Sequence, residues 1–202
     1  MRKILLFIVS LFLININFVY AKETVKYAAC VDGDTIKVFI NDEEKIVRLL
    51  AIDAPESVKP ETEVEYYGKE ASEYTCKKIK KAKKIELEYD ENSEKVDKYD
   101  RLLAWVFVDG KLLQIDLVEK GYAEVAYLYN DYKYTDILQE KQELTSAKGI
   151  GIWNTKAKDE YEKNISTDIS NIDEDYSNIE VVIITGLFLL FVLISKTGLK
   201  KK

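Results

Sequence analysis

The chain has 202 residues and a net charge of −6, with 30 lysines and arginines against 36 aspartates and glutamates. This length leaves room for one domain of ordinary size plus short extensions. Residues 22–158 hold 23 lysines and arginines against 28 aspartates and glutamates, and this negative balance argues against a tight binder of duplex DNA. The chain contains two cysteines and no histidine, which excludes serine–histidine and cysteine–histidine catalysis and the usual four-ligand zinc site. Any hydrolysis must therefore use carboxylates, lysine, arginine, tyrosine or a metal held by oxygen.

The two ends of the chain predict targeting segments. Residues 1–21 combine two early cations, an apolar run and a final alanine, which is typical of a secretory signal peptide; an uncleaved anchor is the alternative. Residues 159–180 hold eight acidic residues and one lysine, a composition that favours a disordered stalk. Residues 181–199 predict a transmembrane helix, because Lys196 can snorkel and lengthen the uncharged run; a buried core helix is the alternative. We therefore expect an exported domain anchored in the cell membrane.

Residues 22–158, between these extensions, predict a compact domain. The predicted strands are 24–31, 35–40, 45–52, 85–89 and 102–108, and the predicted helices are 68–81, 112–120 and 132–146. Gly121 suits the left-handed cap of the second helix. Five short strands with a helix between the third and fourth fit an α+β, mainly β, fold: a five-stranded OB-fold barrel with about three helices.

Cys30 and Cys76 allow two interpretations. In an exported domain the pair can form a disulfide. The alternative is two unrelated small buried residues, because sequence alone does not place the two Cα atoms within bridging distance.

Carboxylates fall at the ends of the predicted strands. Asp34 follows a glycine turn at the tip of the first hairpin, Asp53 ends the third strand, and Glu56 comes three residues later. If the strands pair as a meander, Asp34 and Asp53 converge at one sheet edge. Converging carboxylates repel each other unless they hold a cation, and hard oxygen ligands select calcium or magnesium. Ordinary turns are the alternative reading of both motifs.

Arginine is scarce between residues 22 and 158, where it occurs only as Arg48 and Arg101. A domain this rich in lysine keeps arginine where a planar, two-pronged donor is needed, and phosphate is the usual reason. The alternative for each is a surface salt bridge.

These residues lie within a series of segments that resembles the staphylococcal nuclease family, in order and at its spacing. The segments are VDGDTIKV, VRLLAIDAPE, YYGKEAS, DKYDRLLAWV, GYAEVAYLY and GIW, which together cover about residues 24–154. The resemblance implies a calcium-dependent nuclease that hydrolyses DNA and RNA, single strands in preference, with little sequence preference and with 3′-phosphate products. We expect it to act as a monomer. The rival hypothesis is a catalytically silent nucleic-acid-binding module on the same barrel.

The resemblance also implies roles for individual residues. Asp34, Asp53 and the backbone carbonyl of Ala54 would hold calcium, and Glu56 would be the general base or orient the attacking water. The phosphate would be clamped by Arg48 and Arg101, and the nucleotide would be contacted by Lys98, Tyr99, Tyr127 and Tyr129.

The chain departs from the family pattern at two site positions. Ala54 replaces a threonine, and Asp100 replaces a glycine before Arg101. Since only the carbonyl of Ala54 is needed, that change implies little loss. Asp100 is expected to pair with Arg101 and weaken the phosphate clamp.

Overall fold

A computed structural model of the protein describes residues 22–57 and 64–167, and in it five strands close into a barrel. These ranges contain eight strands: β1 (Glu23–Cys30), β2 (Thr35–Ile40), β3 (Glu43–Leu49), β4 (Ile52–Asp53), β5 (Ile85–Glu88), β6 (Leu102–Val108), β7 (Lys111–Leu112) and β8 (Glu124–Val125). The barrel consists of β1, β2, β3, β5 and β6. The helices are α1 (Gly68–Lys81), α2 (Leu113–Glu119) and α3 (Thr135–Ala147), followed by a 3-10 turn at Gly151–Trp153.

Closure depends on one parallel contact. Strands β1, β2 and β3 form an antiparallel meander, and β5 pairs with both β1 and β6. The parallel pairing of β3 with β6, in the register Val47↔Leu102, closes the ring. The predicted five-stranded barrel with α1 between its third and fourth strands is confirmed.

The barrel interior is filled by the inward side chains of these strands. Fully buried residues include Ile36, Val38, Val47, Leu49, Leu87, Ala104, Trp105 and Val106. Strand β6 is buried on both faces because α2 covers its outer side, where Gln114 Nε2 donates to the carbonyl of Ala104 at 2.9 Å. This explains why β6 is a continuous apolar run and does not alternate.

The structure differs from the sequence prediction at both ends of the predicted third strand, 45–52. The hairpin between β2 and β3 is a two-residue turn, since Ile40 pairs with Glu43 and both Asn41 and Asp42 have positive φ; this matches the right-handed strand twist. The predicted third strand, 45–52, is divided in two. Ala51, with a φ of 63°, separates β3 from β4, so β4 can turn away and pair with β8.

Gly121 ends α2 as predicted, with a φ of 68°. A Cβ at this position would lie 2.3 Å from the carbonyl oxygen of Ile150, so a close approach of two backbone segments adds to the conformational reason for glycine.

Residues after Trp153 belong to a second unit. Residues 155–167 are helical, although the stalk from residue 159 was predicted to be disordered. Helix formation has a local cause: the side chain of Asn154 accepts a hydrogen bond from the amide of Ala157 at 3.1 Å and caps the first turn. No helix in the described ranges is long and apolar enough to cross a membrane. The predicted signal and transmembrane segments lie outside those ranges.

Candidate active site

All ten residues that the sequence predicts for the site surround one open cleft of about 1130 Å³. In chain order they are Asp34, Arg48, Asp53, Ala54, Glu56, Lys98, Tyr99, Arg101, Tyr127 and Tyr129. The fold therefore brings residues from distant parts of the chain to one end of the barrel.

Arg48 joins the two aspartates at the base of this cleft. Its Nη2 lies 3.0 Å from Asp34 Oδ2 and 2.8 Å from Asp53 Oδ1. Its Nη1 donates to the carbonyl oxygens of Leu49 and Ile52 at 2.8 and 2.7 Å. Only 7% of Arg48 is exposed, and these contacts compensate for the loss of water around a buried guanidinium.

Strand pairing fixes Asp34 at this position. Thr35, the first residue of β2, pairs with Arg48 on β3, and the amide of Leu49 donates to the backbone carbonyl of Asp34 at 2.9 Å. Both carboxylate oxygens of Asp34 also have donors: Thr35 Oγ1 at 2.9 Å and the Ala54 amide at 2.9 Å. The carboxylate therefore has one defined orientation.

Asp53 is the more open of the two aspartates, with 39% of its side chain exposed. Tyr127 donates its hydroxyl proton to Asp53 Oδ2 at 3.3 Å. Burial raises the pKa of Asp53, and the charge of Asp34 adds to this, while Arg48 opposes it. The negative charge of Asp53 in turn raises the pKa of Tyr127. A cation bound beside Asp34 and Asp53 would reduce the repulsion between the two carboxylates.

Asp32 is not among the ten predicted site residues, but it organises the segment that carries Glu56. Asp32 Oδ1 accepts hydrogen bonds from the amide of Gly33 at 2.8 Å and from Ser57 Oγ at 2.5 Å. Burial raises the pKa of Asp32, and the neighbouring Glu56 carboxyl adds to the rise. The signal that could have identified it is the second carboxylate flanking the glycine.

The side chain of Arg101 is bound by Asp97. Its Nε and Nη2 each lie 2.7 Å from Asp97 Oδ2, and Asp97 Oδ1 accepts the amides of Tyr99 and Arg101 at 2.9 and 3.0 Å. Burial raises the pKa of Asp97, but the hydrogen bonds from Arg101 and Tyr99 outweigh it, so the net pKa lies below the usual value. Asp97 and Arg101 are four residues apart in the sequence, and this spacing could have predicted the pair.

The expected pairing of Asp100 with Arg101 is wrong. Within the described ranges no hydrogen bond or ion pair joins them, because Asp97 occupies that role. Asp100 instead adopts a left-handed backbone with a φ of 62°. Such a conformation favours glycine, which gives a backbone reason for the glycine of the family pattern.

The other side of the cleft presents exposed aromatic rings. Tyr99, Tyr127 and Tyr129 are 67%, 52% and 78% exposed. Arg101 and Lys98 lie over the Tyr99 ring at 5.4 and 4.9 Å. Flat rings beside cations form a surface on which planar, anionic ligands can stack.

The donor set fits a hard divalent cation. Asp34 and Asp53 contact the same nitrogen of Arg48, so their carboxylates lie close together, and Asp34 also accepts the amide of Ala54. No group of three or more acidic, cysteine or histidine side chains that could hold a metal occurs within residues 22–57 and 64–167. A cation here would draw its remaining ligands from the backbone and from water, as calcium does readily.

The protein is a closed five-stranded barrel with two aspartates and two arginines around one cleft, and comparison with known proteins identifies its family. Residues 46–155 match the family model described as staphylococcal nuclease homologue. The chain belongs to this family.

Curated relatives agree with this assignment. The chain is 42% identical over 125 residues to the SPbeta prophage-derived endonuclease YokF of Bacillus subtilis and 41% identical over 125 residues to the endonuclease YncB of the same organism. These matches take in 61% of this chain but only 42% and 58% of those proteins, so the chain spans about half of their length. It is 33% identical over 133 residues to a thermonuclease of Staphylococcus hyicus, which covers 66% of this chain and 77% of that protein.

Proposed function

We propose that this protein is a calcium-dependent, sugar-nonspecific nuclease that hydrolyses phosphodiester bonds of DNA and RNA and leaves 3′-phosphate ends. The observation that carries the proposal is the convergence of Asp34 and Asp53 on Arg48 in an open cleft that also contains Arg101. A phosphodiester is an anion that repels a water nucleophile, so its hydrolysis needs positive charge around the phosphate. Relatives named endonuclease and thermonuclease support the same activity.

Asp34, Asp53 and the carbonyl of Ala54 would hold the calcium ion. Bound calcium supplies Lewis-acid chemistry: it neutralises phosphate charge and polarises the phosphoryl group. Arg48 contacts both aspartates. Once bound calcium balances the negative charge of the aspartates, the guanidinium of Arg48 can turn toward a phosphate. Glu56 borders the same cleft and holds the attacking water in line as general base.

Arg101 stabilises the negative charge that grows on the phosphate during attack. For this it exchanges its pairing with Asp97 for the phosphate. The exposed rings of Tyr99, Tyr127 and Tyr129, with Lys98, bind the bases and the flanking phosphate. Stacking accepts any base and needs unpaired strands, so single strands and frayed duplex of either DNA or RNA are the expected substrates. The protein acts as a monomer.

The decisive experiment is digestion of end-labelled single-stranded DNA and RNA by the full chain with calcium, with magnesium and with excess chelator. We expect cleavage with calcium, poor cleavage with magnesium because it resists dehydration and demands octahedral geometry, and none with chelator. Full cleavage in chelator would overturn the metal assignment. Binding of the labelled strand without cleavage under every condition would establish the binding-module alternative.

We also propose that the domain works outside the cytoplasm and is held at the cell membrane by residues 181–199, with residues 1–21 as the signal peptide. The disulfide between Cys30 and Cys76 supports an oxidising compartment. The protein should stay with membranes in high salt, and a protease cut engineered at residue 178 should release the domain. Loss of the uncut protein in a salt wash would contradict the anchor.

A further inference from the structure

We infer that helix α1 is a clamp that positions Asp34 for the cation, through the Cys30–Cys76 disulfide and the hydroxyl of Thr75. The inference rests on the proposed calcium site. It makes Cys30, Cys76 and Thr75 positioning residues, none of which touches the substrate.

The first part of the clamp, the disulfide, is attached next to the turn that carries Asp34. Cys30 is the last residue of β1 and Asp34 follows four residues later, while Cys76 lies in α1. The two cysteines form a disulfide with a Cα–Cα distance of 5.3 Å. The turn that carries Asp34 is therefore tethered at its first end to a rigid helix.

The second part of the clamp is a hydrogen bond one residue away from Cys76. Thr75 Oγ1 donates to the carbonyl oxygen of Gly33 at 2.6 Å, and Thr75 is completely buried. Gly33 directly precedes Asp34, so this bond fixes the peptide that leads into the ligand. A buried hydroxyl with one defined acceptor holds its partner closely, because breaking the bond leaves both groups without water.

Close packing completes the clamp. A Cβ at Gly33 would lie 2.7 Å from Ala54 Cβ and 3.2 Å from Ala71 Cβ, so the turn is held between the site and the helix. At the start of α1, a Cβ on Gly68 would lie 2.4 Å from the carbonyl oxygen of Glu56. Helix α1 thus contacts both chain segments that would supply cation ligands and the general base.

A fixed turn matters because two carboxylates repel each other before the cation arrives. If the turn could relax, Asp34 would move away and cation binding would have to restore its position. Holding the ligand in place beforehand raises affinity. Opening the clamp should therefore weaken calcium binding while the barrel stays closed, since the strands pair through their backbones, as Cys30 does with Ile36, and that pairing does not need the cysteine side chain.

The test compares the full-length protein with its Cys30→Ala/Cys76→Ala, Thr75→Val and Thr75→Ser variants. Calcium binding is measured directly by calorimetric titration with calcium alone. Amide hydrogen exchange is followed at Leu49 and Ala54, whose N–H groups donate to Asp34, and at Asp109 in the turn after β6. Wild-type protein reduced by a small dithiol, which becomes oxidised as the two thiols form, provides a second way to open the disulfide.

We expect the calcium dissociation constant to rise about tenfold in the cysteine variant and about threefold to tenfold in Thr75→Val. Exchange at Leu49 and Ala54 should accelerate more than at Asp109. Thr75→Ser keeps the hydroxyl and should restore most of the affinity. Thr145→Val is the matched control: it removes a buried hydroxyl that donates to the carbonyl of Glu119 at 3.1 Å, outside the cleft.

The inference would be overturned if calcium affinity is unchanged and amide exchange accelerates equally at all three positions. The disulfide would then stabilise the fold as a whole and not the turn that carries Asp34. An effect of Thr145→Val as large as that of Thr75→Val would also overturn the inference. Neither measurement requires catalysis. A chain that fails to cleave nucleic acid but loses calcium affinity when the clamp opens would refute the nuclease and retain the clamp.

Discussion

The two sides of the cleft are built in different ways. On the carboxylate side, Asp34 and Arg48 are buried, every named polar atom has a partner, and the turn is tied to α1 by a disulfide. On the aromatic side, Tyr99, Tyr127 and Tyr129 are at least half exposed and stand on irregular backbone. Tyr127 itself has a φ of 56°.

This contrast matches the two tasks that the proposed reaction sets. A cation is held most tightly by ligands that are already oriented before it binds, which favours a buried, fully bonded constellation. Recognition of any base needs only rings with an open face, which favours exposed side chains on loops. Substitutions on the first side should therefore change stability or turnover, and those on the second should change affinity.

The largest effect is expected from Arg48→Met on the carboxylate side. Removing one partner of a buried ion pair leaves Asp34 and Asp53 without compensation, and should lower the free energy of unfolding by about 3–5 kcal/mol. Calcium should then raise the melting temperature of the variant more than that of the wild type, because it binds the folded state and replaces the missing charge. Equal calcium-induced shifts, measured by calorimetry, would show that the aspartates do not hold the ion.

Arg101→Ala and Glu56→Gln should each lower single-turnover cleavage of a short oligonucleotide by at least about 100-fold. The first loses a donor for transition-state charge and the second loses the group that activates water. Glu140→Gln, an exposed residue of α3 outside the cleft, is the control and should retain the wild-type rate. Circular dichroism checks folding. Wild-type rates in both site variants would contradict the catalytic roles of Arg101 and Glu56 and favour the nucleic-acid-binding module.

Asp97→Asn tests the ion pair between Asp97 and Arg101. The folded-state pKa of Asp97 is lowered, so its contribution to stability is present above the ordinary value of 3.8 and is lost as the pH falls through the lowered folded value. The variant should be less stable than the wild type at pH 7, by about 1–2 kcal/mol, and the difference should shrink in acid. Urea melts at several pH values measure this, and a constant difference would contradict the assigned pairing.

Tyr127→Phe should act mainly on substrate affinity. It removes the hydroxyl that donates to Asp53 but keeps the ring, so KM should rise about threefold to fivefold with a smaller change in kcat. Tyr27→Phe, an exposed tyrosine of β1 outside the cleft, is the matched control. A fall in kcat with unchanged KM would place Tyr127 with the catalytic groups.

The smallest effect is expected from Asp100→Gly. Glycine tolerates the left-handed backbone at this position, so the variant should be as stable as the wild type or more stable by less than about 1 kcal/mol. Turnover should not change, because Arg101 pairs with Asp97. A marked rise in turnover, measured under single-turnover conditions, would revive a direct competition between Asp100 and the phosphate.

The sequence by itself determined the barrel and the membership of the cleft. Strand β2, helix α1 and strand β6 were predicted with their observed bounds, because alternation, helical periodicity and a continuous apolar run report burial directly. Spacing within the family-like segments was enough to select ten residues that all line the cleft, although it left out Asp32 and Asp97. These are properties of short stretches of chain, where each residue's environment follows from its neighbours.

Only the tertiary structure decided how those residues are connected. It joined Cys30 to Cys76, paired Arg101 with Asp97 and not with Asp100, and brought the carboxyl groups of Asp32 and Glu56 together. Each of these contacts depends on side-chain direction and on distances between separate elements, which periodicity does not contain. A charged side chain pairs with the group that lies within a few ångströms in a suitable orientation. These distances are set only when the barrel has closed and packed against α1.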